Sequence, residues 1–337
     1  MISWDLFILN QEKSVQVREG HMLLGVYLMS TDWLIALQSE ELHRSVHGLI
    51  GSTVIGGKTA MNNLLPKPIL KWAGGKRQLV SRIVEIMPEE YSAYYEPFIG
   101  GGALLFAVKP SICVINDLNE ELINVYSVIA NHPGELKTLL EKHQACHCKD
   151  YYYKVRSLDR TESYKFLSDI ERAARTIYLN RTCFNGLYRV NRSGYFNTPM
   201  GTYEKPLILD SNNIDAINEY FGKTDITFLV GSYTDALKNV SNGDFVYLDP
   251  PYDPVSESSD FTSYTKQGFS RQDQEELRDE VNRLTELGAK VLVSNSDTEF
   301  INNLYADFEI IHIEANRSIN SNGNSRRGTK EVLIKNY

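Results

Sequence analysis

Asp249, Pro250, Pro251 and Tyr252 put a carboxylate, a rigid carbonyl and an aromatic ring into one short loop. Consecutive prolines cannot continue a parallel strand, because they lack the ladder N–H. They therefore close the apolar run from Asp244 to Leu248 and stiffen the loop beyond it. Two acceptors, the Asp249 carboxylate and the Pro250 carbonyl, suit the two hydrogens of an exocyclic amino group on a nucleobase. That nitrogen is a poor nucleophile, since its lone pair is delocalised into the ring. Paired acceptors localise the lone pair and stabilise the positive charge that develops on nitrogen as it takes up a methyl group. Tyr252 can stack on the base face, a contact of about 1–3 kcal/mol. The bland alternative is a proline-rich turn with a surface tyrosine.

Two further segments carry ligand-binding chemistry. Glu96-Pro-Phe-Ile-Gly100-Gly101-Gly102 follows a strand and opens a helix. Glycines there let backbone amides approach a ligand, and the helix N-terminus favours polar or anionic groups. Asp117 stands 15 residues after Gly102, at the end of the next strand. An acidic side chain at that place meets a ribose hydroxyl in doubly wound sheets. Alone, this pair fits a dinucleotide oxidoreductase, a methyltransferase, or merely a tight turn. Lys71-Trp72-Ala73-Gly74-Gly75-Lys76 precedes the first strand. A tryptophan beside two glycines and a lysine can wrap an adenosyl group and its carboxylate; a basic loop capping the 78–87 helix is the plainer reading.

The elements that must position these residues alternate. Strands are expected at Tyr94–Phe98, Ile112–Ile115, Asp225–Val230, Asp244–Leu248 and Lys290–Val293. Helices are expected at Ala103–Val108, Glu120–Ala130 and Arg271–Leu287. Alternating strand and helix means βαβ units. The fold class is therefore α/β, a Rossmann-like doubly wound, mostly parallel sheet, formed by residues 61–130 and 223–337. Between them, residues 131–222 break the alternation with a helical segment at Ser168–Arg181 and a loop rich in Asn, Arg and Gly, and read as an insertion. Residues 1–60 show neither helical period nor clean alternation and end in the flexible tract Gly48–Gly57. They read as an appendage outside the core or, alternatively, as a docking extension.

Taken in order, Lys71–Lys76, Pro97–Gly102, Asn116-Asp-Leu-Asn119 and Asp249–Tyr252 resemble the Dam-type (D12 class) adenine-N6 DNA methyltransferases. The segment 180–201 (Asn180-Arg-Thr-Cys-Phe-Asn-Gly-Leu-Tyr-Arg-Val-Asn-Arg-Ser-Gly-Tyr-Phe-Asn-Thr-Pro-Met-Gly201) is similar to that family's DNA-contacting segment, as is Asn316–Gly323. The resemblance covers residues 61–337. It implies S-adenosyl-L-methionine (AdoMet) as methyl donor, no metal, and double-stranded DNA as partner, with GATC the target of near relatives. It places Trp72, Lys76, Phe98, Gly100, Asp117 and Asp249 at the cofactor and Asp249, Pro250 and Tyr252 at the chemistry. It makes the 131–222 insertion the DNA target-recognition domain, with Asn185, Leu187, Arg189 and Asn191 toward DNA. Phe184 stands where some relatives carry Tyr. A cognate restriction endonuclease is compatible with the resemblance, as is a solitary role. Cytosine N4 or RNA adenine would serve the same tetrapeptide; an NAD-dependent oxidoreductase would share the glycine turn and Asp117 but leave Asp249–Tyr252 without a use.

The 337 residues carry 35 Lys and Arg against 43 Asp and Glu, a net charge of −8, so a nucleic-acid partner needs local basic patches. Three stretches supply them: 66–82 with net +5, 181–205 with +3 and 316–330 with +4. Phe184, Tyr188, Tyr195 and Phe196 lie among the middle charges and are expected to fill the gap left by an extruded base. The longest apolar run near the N-terminus, Met22–Met29, is too short to span a membrane, and the start lacks a basic signal-peptide region; a cytoplasmic location is expected. Four cysteines are too few for a disulfide framework. His143-Gln-Ala-Cys146-His147-Cys148 has metal-like composition but no second ligand pair nearby, and reads as a polar helix terminus. Cys183, with no partner base, reads as buried.

Overall fold

The computed structural model describes residues 65–72, 74, 79–255, 269–315 and 329–337, together with the backbone of three strands nearer the N-terminus. The chain divides into two compact units, Met1–Asn62 and Asn63–Tyr337. In the first, β1 (Asp5–Ile8), β2 (Ser14–Glu19) and β3 (Met22–Tyr27) form an antiparallel meander in that order. Its register pairs Phe7 with Gln16 and Val17 with Leu24. The sequence reading of this stretch as patternless needs correction. Ser14-Val-Gln-Val-Arg-Glu19 does alternate, but over only six residues, while β1 and β3 are short runs without a period. The Gly48–Gly57 tract lies outside the described residues.

The second unit is built on a seven-stranded sheet: β4 (Tyr94–Glu96), β5 (Ile112–Asp117), β6 (Asp225–Val230), β7 (Phe245–Leu248), β8 (Lys290–Ser296), β9 (Glu309–Ala315) and β10 (Thr329–Lys335). The order across the sheet is β6-β5-β4-β7-β8-β10-β9. The first five neighbours run parallel, and β10 lies antiparallel between β8 and β9. The chain thus starts at β4, winds outward through β5 and β6, then returns to the other side of β4 for β7. The reversal leaves a crevice at the carboxyl ends of β4 and β7, the place where doubly wound sheets bind ligands.

The β7 sequence Phe-Val-Tyr-Leu is apolar throughout because both faces are covered. Phe245 and Tyr247 join the core cluster with Tyr94, Ile115 and the helices at Glu120–Asn131 and Asp169–Thr182. Val246 and Leu248 join the opposite one with Tyr95, Val293 and the Arg271–Glu286 helix. Every strand and helix expected from the sequence in this unit is present, to within a few residues at the ends. Residues 131–222 contain three α-helices beyond the expected one, Pro133–Ala145, Lys149–Ser157 and Ser211–Gly222. Leu136, Tyr152, Ile177 and Ile217 of this stretch share the core of the first cluster with the sheet. Ile310 to Ile313 and Val332 to Ile334 make the C-terminal pair β9–β10, which the sequence reading did not include.

Candidate active site

The glycine turn is set by its neighbours rather than by itself. Asn116, buried near the end of β5, donates from Nδ2 to the Pro97 carbonyl at 3.0 Å and to the Gly231 carbonyl at 3.0 Å. It so ties the turns after β4 and β6 to one strand. Gly100 has φ of +47°, and its carbonyl accepts from the buried Tyr126 hydroxyl at 2.9 Å. A Cβ at Gly100 would meet Cδ1 of Trp72 at 2.9 Å, so the indole lies against the turn. Gly102, with φ of +67°, precedes the Ala103–Val108 helix.

Asp117 ends β5. Its Oδ2 accepts from the Gly100 N–H at 3.1 Å and its Oδ1 from the Asn119 N–H at 2.9 Å. Burial lifts its carboxyl to about 6, against the pull of those two N–H groups. Phe98, on the other side of the turn, packs its ring 5.4 Å from Tyr233 and edge-on to Phe269 at 6.2 Å. Lys76 lies outside the described residues.

Across the crevice, Asp249 follows β7, half-buried with its Oδ1 sealed from solvent. Pro250 is buried and Pro251 exposed. The Tyr252 hydroxyl donates to Oε2 of the buried Glu331 on β10 at 3.0 Å. Burial, reinforced by the charges of Asp249 and Glu331, holds the Tyr252 phenol well above its ordinary range, so it stays neutral. The loop is anchored behind by side chains that the sequence reading missed. Gln274 donates to the Pro251 carbonyl at 2.8 Å, and Asn295 accepts from the Asp253 N–H at 3.1 Å. The buried Asp253 carboxylate receives Arg271 Nε at 3.0 Å and Thr298 Oγ1 at 2.8 Å. Ser294-Asn295-Ser296-Asp297, a polar run closing an apolar strand, was the available signal.

Glu96 sits between the two halves. It is buried, accepts from the Tyr94 hydroxyl at 2.7 Å, and belongs to the glycine motif without having been singled out. Burial raises its carboxyl to about 8; the Tyr94 hydrogen bond opposes this and the Asp249 charge adds to it. Near neutral pH it therefore carries a proton.

The segment 183–200 is a hairpin-like excursion, closed by bridges Cys183–Met200 and Val190–Phe196. The buried Asn180 joins it to the first motif: its Oδ1 accepts from the Lys71 N–H at 2.8 Å, and its Nδ2 donates to the Lys71 carbonyl at 2.8 Å and the Gly186 carbonyl at 3.0 Å. Lys71 Nζ sits 4.7 Å over the Tyr203 ring. Asn185, at φ of +55°, and Arg189 are exposed, and Leu187 is half-buried. Arg189 Nε donates to Asn197 Oδ1 at 2.7 Å. Asn191 is exposed, with its Oδ1 taken by the Ser193 and Tyr195 N–H groups of its own turn. Of the four aromatics expected to replace an extruded base, Phe184 and Tyr195 are exposed, but Phe196 is buried and Tyr188 is half-buried against Trp72. The correction has a simple cause: hairpin residues alternate in direction, and Phe196 is held inward by its N–H to Asp159 and its carbonyl to Arg160.

The His143–Cys148 segment is the expected helix terminus. His143 stacks on Tyr178 at 4.7 Å and pairs with the Tyr151 hydroxyl at 2.9 Å, and Cys148 Sγ caps the next helix. Cys183 is buried, which pushes its thiol up to about 12. The basic stretch 316–330 lies almost wholly outside the described residues. No helix among the described residues is long and apolar enough to cross a membrane.

A family model for D12 class N6 adenine-specific DNA methyltransferases matches residues 72–319. The chain is 46% identical over 276 residues to the Type II methyltransferase M1.LlaDCHI of Lactococcus lactis subsp. cremoris, spanning 82% of this chain and 97% of that one. It is 39% identical to the Type II methyltransferase M.MjaIII of Methanocaldococcus jannaschii, spanning 80% and 99% of the two chains. It is 32% identical to a DNA adenine methylase of Vibrio cholerae, spanning 79% and 95%.

Proposed function

Since the chain belongs to the D12 class N6 adenine-specific DNA methyltransferases, we propose that AdoMet and a flipped adenine meet in the crevice between the turns after β4 and β7, and that the adenine lies in GATC. The observation that carries the site is topological. The Gly100–Gly102 turn and the Asp249–Tyr252 loop flank the same switch point from adjacent strands.

The residues present fit AdoMet. Gly100 leaves a cradle against Trp72 that a Cβ would fill. Asp117 offers a carboxylate for ribose hydroxyls, and Phe98 an aromatic wall. Lys76, by its place in the motif, joins this set toward the carboxylate of the donor. Bound AdoMet supplies an electrophilic methyl group on a sulfonium. Asp249 and the Pro250 carbonyl orient the N6 hydrogens and stabilise the charge that develops on nitrogen. Tyr252 stacks on the base, its hydroxyl held by Glu331. Extruding the adenine costs a few kcal/mol, and Phe184, exposed at the base of its hairpin beside the Cys183–Met200 bridge, enters the vacated stack.

Residues 131–222 act as the target-recognition region inserted between the catalytic segments 61–130 and 223–337. Arg189, Asn185 and Leu187 face the bases, and Asn191 shapes the turn beside them. Lys71 and the basic stretches neutralise phosphates. The first two relatives' Type II names make a cognate restriction endonuclease the proposed partner, and the cytoplasm the proposed location. Mapping every N6-methyladenine in DNA from cells expressing the protein tests this reading. Methylation at GATC, lost with Asp249→Ala, supports it. A different motif corrects the target, and N4-methylcytosine or unmethylated DNA overturns the assignment.

A further inference from the structure

Two neutral amides, Gln274 and Asn295, are 1% and 0% exposed immediately behind the Asp249–Tyr252 loop. Buried polar side chains persist where their hydrogen bonds are made, and here the bonds form a directed chain. Asn295 Oδ1 accepts from the N–H groups of Asp253 at 3.1 Å and Ser296 at 2.8 Å. Backbone N–H groups only donate, so this end must be the oxygen. Its Nδ2 therefore points to Gln274 Oε1, at 3.0 Å, and Gln274 Nε2 to the Pro251 carbonyl, at 2.8 Å. A carbonyl only accepts, so both termini dictate the same orientation of the two amides. The chain begins on β8, passes through the Arg271–Glu286 helix and ends on the loop after β7.

What the chain fixes is the backbone on either side of Tyr252: the carbonyl of the residue before it and the N–H of the residue after it. Pro250 and Pro251 have their φ angles locked near −65° and no N–H of their own, so side-chain hydrogen bonds to carbonyls are the means left for orienting them. Holding the Pro251 carbonyl on the scaffold sets the rotation of the preceding peptide, and with it the direction of the Pro250 carbonyl. With the Asp249 loop taken as the catalytic loop, as proposed above, we infer that Asn295 and Gln274 are positioning residues, an amide relay that aims the Pro250 carbonyl and the Tyr252 ring at the substrate amine.

The test is a single-turnover methyl transfer from AdoMet to adenine-unmethylated duplex DNA, with affinities for both and the melting temperature measured alongside. Gln274→Met keeps the volume and removes the donor. Asn295→Asp keeps the acceptor for both N–H groups and replaces Nδ2 by oxygen. Gln274 must then turn over to donate to it, which sets Oε1 against the Pro251 carbonyl. Each variant is expected to slow transfer roughly 10- to 100-fold, the size of an ångström-scale misplacement, with both affinities within about twofold of wild type, since the relay touches neither ligand. Because the two act in series, the double variant is expected to be no slower than the slower single one. Wild-type rates in both variants overturn the inference. So do multiplied losses in the double variant, or affinity and melting temperature falling along with rate. If Gln274→Met does not fold, Asn295→Asp alone decides by the same rate and affinity criteria. Asp249→Ala run in parallel separates the two levels. An active Asp249→Ala removes the catalytic loop itself, whereas an inactive Asp249→Ala beside unimpaired relay variants removes the relay only.

Discussion

The indole of Trp72 stacks on the ring of Tyr188, centroids 5.2 Å apart with 28° between the planes. One ring comes from the segment placed at the cofactor, the other from the hairpin placed at DNA, and Asn180 ties the same two segments through the Lys71 backbone. With Trp72 at the donor and the hairpin at DNA, as proposed above, donor binding and DNA binding are expected to be coupled through this contact. An aromatic pair of this kind contributes about 0.5–1.5 kcal/mol beyond burial. Tyr188→Ala is expected to weaken AdoMet binding up to roughly tenfold, and Tyr188→Phe to keep it. Calorimetric titration of both variants checks this; equal affinities would separate Trp72 from the donor.

Asp117, placed at the donor in the proposed site, is expected to give donor binding a pH dependence. Its folded-state carboxyl titrates at about 6, raised from an ordinary 3.8. A ribose hydroxyl donating to it favours the ionised form. Binding is thus strongest above about 6 and weakens as pH falls through that value, by up to roughly tenfold per pH unit for one proton taken up. Asp117→Asn should bind less tightly at pH 8 and show a flat profile. A wild-type affinity constant between pH 5 and 8 counts against the contact.

Glu96 acts on stability rather than on affinity. Its carboxyl is raised from 4.5 to about 8, chiefly by burial. The folded state holds the proton more tightly than the unfolded one. The favourable contribution is complete below about 4.5 and is lost as pH rises through about 8. Glu96→Gln carries no titrating group, so its melting temperature relative to wild type is expected to climb from about pH 5 and to level off above about pH 8. A difference that does not change with pH would show that Glu96 titrates normally.

The sheet and the two turns after β4 and β7 were legible because each obeys a local rule. β7 is apolar on both faces, and Gly100 and Pro250 punctuate strand ends where the backbone must turn. The supports of the site were not legible, since each works across long sequence separation. Gln274 reads as one polar residue on an amphipathic helix, Glu331 stands in a C-terminal run where no strand is expected, and Asn295 lies just beyond the expected Lys290–Val293 strand. Only the pairing of β8 with β7 and β10 brings them behind one loop. Of the four aromatics of 184–196, Tyr188 and Phe196 depart from the expectation for a related reason: composition shows that four rings are present, and the direction of each depends on hairpin contacts, including those made with the residues after the Lys149–Ser157 helix.

Arg189 is exposed but already oriented by Asn197, at 2.7 Å. A guanidinium held in place loses less freedom when it pairs with a base edge. Arg189→Ala is expected to cost about 1–3 kcal/mol of discrimination at one base pair. Asn197→Ala is expected to lose part of that at the same position. Methylation rates on a panel of singly substituted duplexes measure both; a uniform loss across the panel would mark Arg189 as a phosphate contact.

The glycines near Trp72 allow a graded test of the cradle. Gly100 has a left-handed φ of +47°, and a Cβ there would lie 2.9 Å from Trp72 Cδ1. Gly100→Ala therefore meets both a backbone cost of about 1–2 kcal/mol and a ring that must move. Gly101 has no such φ, and its added carbon would lie 3.3 Å from Trp72 Cβ, tight but closer to an ordinary contact. Gly134, in the Pro133–Ala145 helix, has open space where a Cβ would go. AdoMet affinity is expected to fall in that order: at least tenfold for Gly100→Ala, a few-fold for Gly101→Ala, not at all for Gly134→Ala. Melting temperature should drop for the first and hold or rise for the last, since replacing a helical glycine by alanine contributes up to about 1 kcal/mol. Donor affinity in Gly100→Ala equal to that in Gly134→Ala would mean that the Trp72-lined turn does not hold the adenosyl group.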